Sequence, residues 1–189
     1  MKMKFFRISG PAVFCPPLRQ SAGRAGRLRS NLETGRLAPT AKNLQPQRIY
    51  VVRSEALLAK LRTITTMTFD APQVLIICAD PSEAWVNPFN GRSSAEMDAS
   101  IVAAHMMLQM QELGIGSTWV CWFDTEKVKQ ALALPESVEP YCLLPFGYPS
   151  AGCRPSGNTI SASRWIRQCS ISNSILSLRR SEAQCLLIY

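Results

Sequence analysis

The sequence predicts a domain of mixed helices and strands in the middle of the chain, and three observations predict it. Between about residues 33 and 149, short apolar runs of strand length alternate with segments whose apolar residues recur at helical spacing. The chain has 189 residues, 47% of them hydrophobic, enough for one domain with a sizeable core. Charge is also uneven. Residues 1–30 carry seven Lys or Arg and no acid, and residues 151–189 carry five Arg and one Glu, which leaves nine bases against twelve acids in 31–150. The globular part is mildly acidic although the whole chain carries +8. The expected organisation is a divergent basic segment over 1–30, poorly ordered, a folded domain over 31–150 and a divergent segment over 151–189.

Taken in order, residues 7–30 are rich in Arg, Pro, Ala, Gly and Ser and show no apolar period, so nothing there promises to bury a face. A helix end near Glu33 leads into a polar turn built on Pro39, Thr40, Asn43 and Pro46, because proline fixes its own backbone and biases the residue before it away from helix. Arg48 to Arg53 reads as a strand rich in β-branched and aromatic residues. Ser54 is placed to cap a helix over EALLAKLRTI, whose Leu57, Leu58, Leu61 and Ile64 share one face.

QVLIICAD is a continuous apolar run and predicts a central strand covered on both faces. The loop PSEAWVNPFNGRSS holds two large aromatics, Trp85 and Phe89, which either plug the core edge or wall a pocket. The longest helix follows, from Ser93 or Ser94 to a stop at Gly114. Its apolar residues cover most of its circumference, which predicts a place inside a core or an oligomer interface. STWVCW reads as a further strand, Asp124 as the cap of a helix ending before Pro135, and PYCLLPFGYP as the closing strand. Beyond Ser150 only CLLIY has strand character.

Several functions are excluded or disfavoured. Basic ends without interleaved aromatics or a recognition helix do not predict nucleic-acid binding. No apolar run approaches the roughly 18 residues a membrane span needs, and Arg7, Ser9, Gly10 and the Pro16-Pro17 pair break any signal-peptide core. Seven cysteines with no C-x-x-C pair point to reduced thiols in the cytoplasm rather than to a zinc site or a disulfide framework. His105, the single histidine, reads as a hydrogen-bonded helix residue. In GIGS the order is helix, glycines, strand, the reverse of a dinucleotide-binding loop.

Three stretches together, GRLAPTAKNLQPQRIYVV, SSAEMDASIVAAHMMLQMQELGIGSTWVCWFD and LALPESVEPYCLLPFGYP, resemble the nitroreductase family of flavin enzymes from about Leu32 to Pro149. The resemblance implies an α+β fold, a sheet flanked by helices, in an intertwined homodimer with FMN at the subunit interface. It also implies hydride transfer from NADH or NADPH to a small-molecule acceptor such as a nitroaromatic or quinone. Pro39, Thr40, Asn43 and Gln45 match the family's cofactor loop, and Asn43 both donates and accepts, which suits a flavin edge. Cys121 and Trp122 match the segment whose main-chain N–H groups lie beside the ring.

The chain departs from the family where an Arg-Arg-Ser-x-Arg motif is expected to grip the FMN phosphate. That neighbourhood reads GPAVFC. Downstream, Arg164 is the residue near the position of the family's late phosphate-binding cation. A shifted reading frame over about 7–30 and from the 150s onward would account for both departures, as would natural divergence. A nitroreductase-like shell that cannot retain FMN is therefore the alternative to an active flavoenzyme.

Overall fold

A computed structural model of the chain describes Leu18, Arg19 and residues 25–149, all within the first of the two units into which the chain divides, Met1–Ser156. The uninterrupted apolar run of QVLIICAD forms β3, Gln73–Ala79, and is central as its composition requires. It lies between β2, Gln47–Val52, and β5, Glu139–Pro149, antiparallel to both. The two-residue strands β1, Leu18–Arg19, and β4, Gly116–Ser117, pair with β5. Tyr141 is an extra residue in β5, opposite the register shift between Ile77 and Cys78, and the ladder bulges there.

Side chains alternate across a strand, so β3 serves two cores. Leu75, Ile77 and Ala79 pack with Ala99, Val102, Met106 and Met110 of α3, Ala95–Glu112, and with Leu28 and Leu32 of α1, Ala25–Leu37. Val74, Ile76 and Cys78 face Leu58 and Leu61 of α2, Glu55–Ile64, and Val128 of α4, Thr125–Leu132. The result is a mixed fold of an antiparallel sheet with helices on both faces. Leu75, Ile76 and Ile77 are all fully buried, and truncating any one to Ala would cost about 2–5 kcal/mol.

Local signals set the helix ends. The Ser54 hydroxyl accepts from the Leu57 N–H, and the Asp124 carboxylate accepts from the Lys127 N–H. At the end of α3, Gly114 takes a φ of 68° while the Ile115 N–H reaches back to the Met110 carbonyl, a closure that favours glycine. The face of α3 turned away from the core carries Met97, Ala104 and Leu108, at spacings of seven and four, while Ile101 at its margin is partly buried against the core. Met97 and Leu108 are exposed at 65% and 39%.

Two expectations are corrected. Residues 25–30 belong to α1, which begins six residues before the boundary expected at 31. It lacks an apolar period because polar groups help to seat it. Arg27 donates to the Leu113 carbonyl at the end of α3 (2.8 Å), and buried Asn31 donates to the Met106 carbonyl (2.7 Å). The strand expected over STWVCW is only the Gly116–Ser117 pair and an isolated bridge from Val120 to Leu143. Beyond Val120 the chain turns out of the sheet. The CLLIY strand lies outside the described residues. No described helix is long and apolar enough to cross a membrane.

Candidate functional site

The polar turn between α1 and β2 is a short 3-10 helix, Ala41–Asn43, followed by the entry to the strand. Lys42, Asn43 and Gln45 have φ values of 51°, 55° and 53°. Three non-glycine residues in the left-handed region within four positions are strained backbone, at about 1–2 kcal/mol each, so the surroundings must hold them. The Thr40 carbonyl accepts from the Asn43 N–H (2.9 Å), and the Thr40 hydroxyl accepts from the Gln45 N–H (3.1 Å). The Gln45 carboxamide donates back to the Arg36 carbonyl at the end of α1 (3.2 Å). Below the turn, the Ala41 N–H donates to the buried carboxylate of Asp98 on α3 (2.8 Å). Asn43 is left exposed, with a side-chain amide that makes no hydrogen bond among the described residues.

The strand end behind this turn is fixed by a second carboxylate. The Asp80 N–H donates to the Pro46 carbonyl (2.9 Å), while its side chain accepts from the Ser82 N–H (2.9 Å), the Ser82 hydroxyl (2.5 Å) and the Ser137 hydroxyl (2.7 Å). These bonds, that from the Ser82 hydroxyl foremost, hold the Asp80 carboxyl below the usual aspartate range. Arg48 makes a two-pronged pair with Glu83.

Cys121 and Trp122 lie at a separate corner between β4 and α4. The buried Thr65 hydroxyl donates to the Trp122 carbonyl (2.5 Å), and the Phe123 N–H closes a tight turn on the Cys121 carbonyl (3.1 Å). The main-chain N–H groups of Cys121 and Trp122 make no hydrogen bond among the described residues. The indole N–H of Trp119 donates to the exposed Cys121 sulfur (3.0 Å). Burial, by contrast, pushes the Cys78 thiol up to about 12 and the Cys142 thiol further still. Neither is poised for thiolate chemistry.

Pro39, Thr40, Asn43 and Gln45 therefore gather in one turn, and Cys121 and Trp122 in another. Both turns flank the sheet end formed by the start of β2, the end of β3 and the start of β5. No hydrogen bond among the described residues joins them, and the three strand spacings between them are roughly 14 Å. Arg164 lies outside the described residues. His105 accepts its helix role, with Nδ1 2.8 Å from the Ile101 carbonyl oxygen. Phe89 is 95% exposed at the tip of a hairpin closed by the Val86–Ser93 bridge, so it does not plug the core. Asp98 and Thr65 were not visible as functional candidates. Asp98 shares the first turns of α3 with a second acid, Glu96, so nothing local in the sequence singles it out.

The described residues thus form an antiparallel sheet covered on both faces, with two turns at one end that present an exposed carboxamide and N–H groups lacking an acceptor among the described residues. The chain belongs to the nitroreductase family, whose model matches residues 25–73 and 63–148. The match starts seven residues before Leu32, at the first residue of α1. The chain is 28% identical over 126 residues to a protein of Methanothermobacter thermautotrophicus provisionally named NADH dehydrogenase/NAD(P)H nitroreductase, covering 63% of each chain. It thus spans less than two thirds of that relative's length. A crystal structure of a nitroreductase family protein from Clostridium difficile 630 superposes with a TM-score of 0.77 at 30% identity, covering 87% of this chain and 95% of the other. A structure titled FMN-dependent nitroreductase, from Clostridium difficile R20291, superposes with a TM-score of 0.64 at 22% identity over 82% and 92%.

Proposed function

We propose that this chain is an FMN-dependent oxidoreductase of the cytoplasm, a homodimer that moves hydride from NADH or NADPH to a nitroaromatic, quinone or similar small acceptor. The observation that carries the reading is the strained Thr40–Gln45 turn, which holds the Asn43 carboxamide open towards solvent. Strain of this kind persists where the surrounding structure enforces it, and it concentrates at ligand sites. Family membership and the FMN named for a similar fold support the choice of ligand.

The residues present suit the ring side of FMN. Asn43 offers a donor and an acceptor in one group, matching a ring edge that carries both. Pro39, Thr40 and Gln45 shape the turn that presents it. The N–H groups of Cys121 and Trp122, which have no acceptor among the described residues, are fixed donors of the kind that stabilise developing negative charge, at no cost in reorganisation. Arg164 is assigned to the phosphate. Bound FMN would supply the hydride chemistry itself, and the protein's share is binding, orientation and access. The exposed Trp122 ring is assigned to the wall of the acceptor pocket, with Trp85 and Phe89.

A second reading, a nitroreductase-like shell that does not retain FMN, is favoured by one observation: GPAVFC stands where a phosphate-gripping basic motif is expected. Colour and turnover separate the two. Purified protein that is yellow, is bleached by NADH or NADPH and is recoloured by a nitroaromatic or quinone supports the enzyme. Colourless protein that takes up no added FMN supports the shell.

A further inference from the structure

We propose that Asp98 is a positioning residue for the cofactor turn, acting through the Ala41 N–H; the inference rests on the functional reading above for the ligand but not for the anchor itself. Asp98 is 1% exposed and sits on α3. One carboxylate oxygen accepts from the Ala41 N–H (2.8 Å), and the other accepts from the Ser94 hydroxyl (2.7 Å), itself buried.

A buried carboxylate is costly unless each oxygen is satisfied, and here both partners are supplied. The Ser94 bond is local to α3 and fixes the carboxylate. The Ala41 bond spans 57 residues and reaches the first residue of the 3-10 turn. Ala41 directly precedes the strained pair Lys42 and Asn43. Its other hydrogen bond among the described residues lies within the turn, where the Leu44 N–H donates to the Ala41 carbonyl. Asp98 is thus the link from the rigid helix to the segment that carries Asn43. Loss of that link would let the turn relax and would carry the Asn43 carboxamide away from the ligand edge.

The conservative variant separates positioning from charge. In Asp98→Asn the side-chain oxygen still accepts from the Ala41 N–H, and the new NH2 donates to Ser94 Oγ, whose hydroxyl rotates. In Asp98→Ala both bonds vanish. The test measures amide hydrogen exchange of residues 40–45 in the flavin-free full chain, with β3 amides as the internal reference for global opening, and FMN affinity by quenching of flavin fluorescence.

In the wild type the Ala41 amide should exchange much more slowly than the Lys42 amide, which has no acceptor among the described residues. Asp98→Ala should speed exchange at Ala41 and weaken FMN binding by about tenfold each, whereas Asp98→Asn should stay within about threefold of wild type on both. The proposal is overturned if the wild-type Ala41 amide exchanges as fast as Lys42, if folded Asp98→Ala binds FMN as the wild type does, or if Asp98→Asn loses as much as Asp98→Ala. The wild-type comparison stands even if Asp98→Ala does not fold. Wild-type protein that takes up no FMN would count against the cofactor reading, and the exchange data would then decide the anchor alone.

Discussion

Cys78, Cys121 and Cys142 look alike in sequence and differ in the fold by what surrounds the sulfur. Cys78 and Cys142 are fully buried on β3 and β5, where loss of water disfavours the thiolate, while Cys121 is exposed beside the Trp119 indole N–H. Brief treatment with iodoacetamide should therefore modify Cys121 in the native protein and reach Cys78 and Cys142 only after unfolding, as read by peptide mass mapping. Protection of Cys121 together with the other two would contradict the geometry. Asp80 makes a pH prediction of definite sign. Its folded-state carboxyl holds a proton less tightly than the unfolded one, chiefly because of the Ser82 hydroxyl and then that of Ser137. Its share of stability is complete above the ordinary aspartate value near 3.9 and is lost as pH falls through the lower folded-state value. The Tm advantage of wild type over Asp80→Ala should accordingly shrink as the pH drops from about 5 to about 2. A constant difference across that range would assign the effect to packing.

Element seating turns on small residues as much as on large ones. A Cβ added at Gly35 of α1 would lie 2.8 Å from Met106 Sδ and 3.0 Å from Ile49 Cδ1, whereas one added at Gly26 would meet nothing within 4 Å. Gly35→Ala should lower stability by about 1 kcal/mol, the overpacking cost of 1–3 kcal/mol less the helix preference of Ala near 1 kcal/mol, since the flexible end of Met106 gives way in part. Gly26→Ala should be neutral or stabilising by up to about 1 kcal/mol. Urea melts of the two variants check the opposite signs, and equal effects would refute the close approach. The same contrast explains what the sequence disclosed. The β3 run, the caps Ser54 and Asp124 and the stop at Gly114 were legible because each signal acts within its own few residues. The start of α1 was not, because Arg27, Asn31 and Gly35 seat it through α3, some 75 to 86 residues away for the two polar contacts. STWVCW has strand composition, yet its pairing with β5 is confined to Ser117, the Thr118 N–H on the Pro145 carbonyl and the Val120 bridge. In the site, the turn bearing Asn43 was legible from its prolines and polar residues, whereas Asp98 and Thr65 act on main-chain groups 57 residues distant and leave no local trace.

At the scale of the whole molecule, α3 has two apolar sides, and the described residues cover only the first. Val102, Met106 and Met110 are fully buried against the sheet, while Met97, Ala104 and Leu108 form an exposed stripe on the other side. A helix apolar over most of its circumference belongs in an interior, and a second copy related by two-fold symmetry would supply the missing half, since a stripe of this kind is self-complementary. A stable contact of this class removes about 800 Å² from each partner, more than one helix face provides, so exposed residues outside the stripe would have to contribute. Light scattering on the full chain should give a mass near twice 20.9 kDa. Changing Met97 and Leu108 together to Asp should shift the protein to monomer, because two charges on each copy would be buried without partners. Both side chains are exposed in the single chain, so its own two cores remain intact and far-ultraviolet circular dichroism of the variant should match the wild type. If each copy completes the other's cofactor site, the monomer should also lose FMN. A wild-type monomer would remove the proposed dimer, and a dimer that survives both substitutions would place its interface on a face other than this stripe.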